Sequence, residues 1–129
     1  MNGYSFLAIF GGAGLGACLR WALGAWLNPV FPTLPLGTLA ANLLGGLLVG
    51  MATTFFSHFS ALPVEWRLLS ITGFLGGLTT FSTFSAEVVA LIARHELAWA
   101  LTTAAAHLGG SLLLTGLGVA LSHALFARA

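Results

Sequence analysis

Apolar residues run almost unbroken through four stretches, and polar or proline-containing positions gather between them at 28–35, 57–65 and 94–96. The stretches so delimited cover about 4–27, 37–56, 66–93 and 97–126. Each is long enough to cross a bilayer, for which roughly 20 helical residues suffice. None shows the strict alternation of a lipid-facing strand. Backbone groups in lipid need partners within their own element, so the pattern predicts an all-α membrane protein, a single domain over 1–129 with four transmembrane helices. Trp21, Trp26, Trp66 and Trp99 fall mostly within a turn or two of the predicted ends, where amphipathic rings anchor at headgroups.

Composition agrees. Of the 129 residues, 58% are hydrophobic and only 5% are charged, against about a quarter in a soluble domain. No charge occurs between Arg20 and Glu65. Four scattered arginines and a net charge of +1 form no basic patch, which excludes nucleic acid as a partner. Cys18 is the single cysteine and lacks the neighbours of a zinc site. The first 19 residues hold no Lys or Arg, so no cleaved secretory signal is expected. The loops carry no orientation signal either. Arg67 and Arg128 fall on one side of the membrane, and Arg94 with Arg20 on the other. Such a chain can insert both ways up, and two inverted copies can pair.

Small residues prepare the helices for close contact. Gly12 and Gly16, Gly46 and Gly50, and Ala86 and Ala90 are each four apart. The run from Gly12 to Ala17 formally fits the glycine fingerprint of a dinucleotide fold, but that motif needs a preceding strand and an acid about 20 positions on. The first acid here is Glu65.

Candidate chemistry concentrates at 73–85, where Gly73, Gly76 and Gly77 precede Thr79, Thr80, Phe81, Ser82, Thr83, Phe84 and Ser85. Glycine weakens a helix and hydroxyls satisfy freed backbone groups, so a helix break between Gly76 and Thr80 competes with an unbroken, back-bonded helix. A break at membrane depth exposes carbonyls to a cation and helix N-terminal amides to an anion. Beyond it, helical spacing puts Phe81, Phe84, Ser85 and Val88 on one face and Thr80, Thr83 and Glu87 on the next. Ring edges carry the positive part of the aromatic quadrupole, so a Phe pair beside hydroxyls either packs or lines a path for a small anion. Asn42, mid-way along the second stretch, either joins helices or donates to such an anion. Ser111 and Thr115 form a hydroxyl line on the fourth stretch, with back-bonding as the competing use. Arg20 anchors at an interface or guards a pore mouth. Glu87 is the one acid well inside a span, and His107 packs or relays protons. No spacing of a metalloenzyme or hydrolase is present, and an enzyme is not expected.

The segments Gly11–Trp21, Gly37–Asn42, Gly73–Ser85 with Glu87, and Gly110–Ser111 together resemble the bacterial Fluc fluoride channels, also called the CrcB family. The resemblance spans all four helices in order. It implies a third helix broken mid-membrane and an inverted, dual-topology homodimer in the bacterial inner membrane. Two passive fluoride pores would then export cytoplasmic fluoride around one structural sodium ion. It places Asn42, Phe81, Phe84 and Ser111 along the fluoride path, with Ser82 and Thr83 adding polar contacts towards its end. It gives the sodium to the backbone carbonyls of Gly76 and Thr79, and sets Arg20 near the aqueous entrance. The fourth helix departs from some members, which have Tyr where Thr103 stands and Ser where His107 stands.

Two other classes share the helix count. A proton-coupled exporter of small cationic drugs ordinarily carries a Glu in its first helix, and the first 64 residues here hold no acid. A non-transporting membrane assembly subunit accounts for the glycines but not for the clustered hydroxyls and the Phe pair.

Overall fold

The computed structural model describes residues 2–127. Arg128, counted in the charge balance above, lies outside them. Described elements are all helical: α1 (Gly3–Leu27), a 3-10 turn (Asn28–Val30), α2 (Leu36–His58), α3 (Val64–Arg67), a π-helical stretch (Leu68–Leu75), α4 (Gly76–Leu78), α5 (Phe81–Ala93) and α6 (Leu97–Phe126). Four units, Gly3–Val30, Leu36–His58, Val64–Ala93 and Leu97–Phe126, are long and apolar enough to cross a membrane.

Side-chain caps set the helix starts. Asn2 Oδ1 accepts from Ser5 N at 2.8 Å and opens α1. Pro35 cannot cap α2 with its side chain, and Asn28 at the end of α1 does so instead, accepting from Gly37 N at 2.8 Å and Thr38 N at 3.2 Å. One amide therefore closes the α1–α2 corner. Between α5 and α6 the chain turns through His95, which sits at φ 61°, and Arg94 pairs with Glu96 at 3.0 Å on the surface.

Glycine permits the two closest helix pairs. A Cβ at Gly12 or Gly16 would strike the backbone of the π stretch and α4, and one at Gly50 would strike Thr115 O on α6. So α1 lies against the third span and α2 against α6 at backbone contact. Ala86 and Ala90 are exposed. The core is correspondingly small. Ala41, Leu75 and Leu78 are buried at its centre, flanked by Leu23, Leu48, Val49, Ala52 and Phe74. Phe10, Trp21, Trp26, Leu112 and Leu113 face outwards, as residues of a lipid-immersed or partnered surface do.

The π stretch is the one irregularity without a sequence signal. Its bonds run from i to i+5, a rare geometry that often occurs at functional sites. It ends at Gly76, whose N–H reaches both Gly73 O and Ile71 O.

Candidate functional site

The α4 turn ends at Leu78, and the backbone then runs extended through Thr79 (φ −81°, ψ 153°) and Thr80 (φ −150°, ψ 110°) before α5 begins at Phe81. Hydroxyls offset part of the cost. Thr79 Oγ1 donates to Leu75 O at 2.8 Å, and Thr80 Oγ1 accepts from Thr83 N at 3.1 Å, capping α5. Such a cap contributes about 1 kcal/mol.

Asn42 repairs the remainder from α2. Its Oδ1 accepts from Thr80 N at 2.7 Å while its Nδ2 donates to Thr80 O at 3.0 Å. A single side-chain amide thus serves both polar groups of one backbone residue. The second Nδ2 hydrogen is directed to His107 Nδ1 on α6, 3.0 Å away. The His107 ring is buried and stacks on Phe84, with centroids 4.6 Å apart and planes inclined by 26°. Its Nε2 lies 4.0 Å from Glu87 Oε2, too far for a direct hydrogen bond. Glu87 Oε1 accepts from Thr38 Oγ1 at 2.7 Å. Two polar links result, Thr38 to Glu87 joining α2 to α5 and His107 through Asn42 to Thr80 joining α6, α2 and the third span, with a 4.0 Å gap between Glu87 and His107.

Among the described residues three carbonyls are left over at the interruption, those of Gly76, Leu78 and Thr79. In a continuous helix Gly76 O would accept from Thr80 N, Leu78 O from Ser82 N and Thr79 O from Thr83 N. Thr80 N is committed to Asn42 and Thr83 N to the Thr80 hydroxyl. Gly77 O between them is taken by Arg20, whose Nε donates to it at 3.0 Å. The guanidinium thus sits at the C-terminal end of a helical run, where a cation is favoured.

Six of the candidate residues meet in one groove: Asn42, Gly76, Thr79, Phe81, Phe84 and Ser111, with His107 joining them. Ser82, Thr83 and Arg20 are not among its lining residues. Phe84 is 6% exposed and Phe81 71%, and the two rings meet edge to face with centroids 5.4 Å apart. Ser82 Oγ lies 3.2 Å from Thr80 Oγ1, and Thr83 Oγ1 accepts from it at 3.0 Å. Thr115 does not bond back along its own helix but donates across to Gly46 O at 2.9 Å, clasping α6 to α2. The groove offers a hydroxyl, ring edges and an amide amid apolar walls. It contains donors but no fixed charge.

Thr38 escaped the sequence reading although it lies four residues before Asn42, one turn away on the same face. His107 had been noted there without a defined partner, because the residue it touches is 65 positions away in the chain.

Comparison with known proteins places the chain. The family described as CrcB-like protein, Camphor Resistance (CrcB), matches residues 7–119. A protein of Nitrosospira multiformis named fluoride-specific ion channel FluC is 60% identical over 119 residues, covering 92% of this chain and 93% of its own. A Burkholderia cenocepacia protein of the same name is 58% identical over 126 residues, 98% of each chain. One of Ralstonia nicotianae, again so named, is 59% identical over 119 residues, 92% of this chain and 94% of that one. The chain belongs to the CrcB-like family.

Proposed function

We propose that this protein is a passive, fluoride-selective channel through which a bacterium releases cytoplasmic fluoride. The observation that carries the reading is the meeting of Asn42, Phe81, Phe84 and Ser111 along one groove beside an interrupted helix. Taking a small anion out of water costs of order 20 kcal/mol in the Born picture. A pore must therefore replace hydration with donors and positive ring edges spread along the path. Amide, hydroxyl and Phe edges do this without a buried cation that would trap the ion, and weak binding at several places is what conduction requires. Ser82 and Thr83 extend the polar contacts towards the end of the path. Arg20, held on Gly77 O, keeps positive charge near the aqueous mouth.

The working unit is an inverted homodimer in the inner membrane, with the third helix of each copy broken at mid-depth. The exposed Phe81 ring gives a second copy a surface to cover on one side of α5, and Ala86 and Ala90 are exposed on the other. A structural sodium ion belongs at the centre of this dimer, held by the carbonyls of Gly76 and Thr79 from both copies. The fit rests on these oxygens having lost their helical donors and on the preference of hard cations for oxygen. What a bound sodium ion supplies is fixed positive potential beside the anion path. Export needs no energy coupling, because a negative-inside potential drives an anion out with about 2.3 kcal/mol per 100 mV.

Purified protein in liposomes tests the reading. Fluoride-loaded vesicles should empty rapidly, and chloride-loaded vesicles should retain their contents. Equal efflux of the two anions would overturn it.

A further inference from the structure

The hydrogen bonds at Asn42 leave no N–H free for an ion. Oδ1 takes Thr80 N, which fixes which end of the amide is oxygen, and the two Nδ2 hydrogens go to Thr80 O and His107 Nδ1. An anion that is to receive a hydrogen bond from this amide must displace one acceptor. Thr80 O belongs to a reciprocal pair that also holds the α5 N-terminus in place, so the exchangeable partner is His107.

That geometry fixes the imidazole tautomer as well. Nδ1 faces a donor and must carry a lone pair, so in the neutral ring the proton sits on Nε2. Nε2–H then points towards the Glu87 carboxylate 4.0 Å away. His107 Nε2, Glu87 Oε2 and Thr103 Oγ1 are all buried without a hydrogen-bond partner among the described residues. Among the described residues Glu87, approaching from α5, is the charged group that faces the ring; α2 faces it with the neutral Asn42, and the neutral Thr103 lies one turn earlier on α6 itself. The ring is also fixed by its stack on Phe84.

We propose that His107 is a positioning residue that acts as a stand-in acceptor: its Nδ1 occupies the second Asn42 hydrogen when the pore is empty and yields it to fluoride as the ion passes. The inference rests on the fluoride-channel reading. A donor left bare between ions would make the amide a trap, since a buried unsatisfied N–H regains its lost bond by binding the ion harder. With His107 present, the ion exchanges one hydrogen bond for another and leaves readily, as multi-site conduction requires.

Two variants separate this role from packing. His107→Leu fills the space and removes the acceptor. His107→Asn places an amide oxygen near the Nδ1 position while losing the ring stack. In vesicle flux measured against fluoride concentration, His107→Leu should lower the half-saturating concentration about tenfold and lower maximal flux with it. His107→Asn should keep half-saturation within about threefold of the native value. A packing role would reverse the order, with Leu the milder change and half-saturation constant in both. The native protein supplies a test that no folding defect can cloud. In nitrogen-15 NMR of histidine-labelled dimer at neutral pH, His107 should be the Nε2–H tautomer, and fluoride but not chloride should shift its Nδ1 resonance. A protonated Nδ1, or no response to fluoride in a protein that still conducts it, would overturn the stand-in role while leaving the channel intact.

Discussion

At the scale of single residues, the two phenylalanines and Asn42 separate by burial and partner. Phe84 is buried against the His107 ring, and Phe81 is open on the chain's surface. Phe84→Ile should therefore cut fluoride flux sharply and also lower stability by about 1 kcal/mol through the lost ring contact. Phe81→Ile should cut flux with little effect on the stability of the subunit. Vesicle efflux paired with thermal melts in detergent separates the two outcomes. Asn42→Asp is the harsher change. An ionised carboxylate can still accept from Thr80 N but cannot donate to Thr80 O or to His107, and it repels an anion. Flux should nearly vanish, and with two buried acceptors stripped of their donor the fold should lose about 3 kcal/mol. Near-native efflux from purified Asn42→Asp protein would remove Asn42 from the path.

At the scale of elements, the third span is where sequence and geometry inform each other most. Glycines followed by hydroxyls at 73–85 put an interruption within view, because residues that weaken a helix stood next to residues able to satisfy what the interruption frees. What remained hidden was the means of repair. Asn42 reaches Thr80 from 38 positions away, and Arg20 reaches Gly77 O from 57. Such pairings depend on how helices cross, which local periodicity does not encode. The π stretch was hidden for a related reason, since a shift from i+4 to i+5 bonding leaves the apolar pattern of an already apolar segment unchanged. The repaired interruption leads to an ion-dependence prediction. If Gly76 and Thr79 carbonyls hold sodium, dimer purified and assayed with sodium replaced by a large organic cation should lose most of its fluoride flux. Flux should return on adding sodium, and no sodium should move with the fluoride. Undiminished activity in sodium-free medium would remove the cation from the assembly. Loss of the Thr80 cap through Thr80→Val should cost about 1 kcal/mol and weaken the start of α5, read as a lowered melting temperature.

At the scale of the whole molecule, the question is how a chain with so small a core becomes a stable membrane object. Many of its large apolar side chains point outwards, and lipid alone supplies no hydrophobic drive between helices. Close glycine contacts join α1 to the third span and α2 to α6, while Phe81 on one side of α5 and Ala86 and Ala90 on the other stay exposed. The charge distribution bears on how the chain is oriented in the membrane. Arg20 is bound to Gly77 O inside the helix assembly, so it no longer counts as a loop charge. The loop balance then rests on Arg67 and Arg128 against Arg94, a difference of one residue, too small to impose a single orientation. Reporters fused to the C-terminus that are active on opposite membrane faces should therefore give comparable signals. Adding two or three lysines to the 94–96 turn should drive the chain into one orientation. Fluoride efflux should then collapse when that variant is expressed alone and recover when it is expressed with a copy biased the other way. A strong one-sided signal from the native chain, or full efflux from the biased variant alone, would exclude the inverted pair and require a parallel assembly in its place.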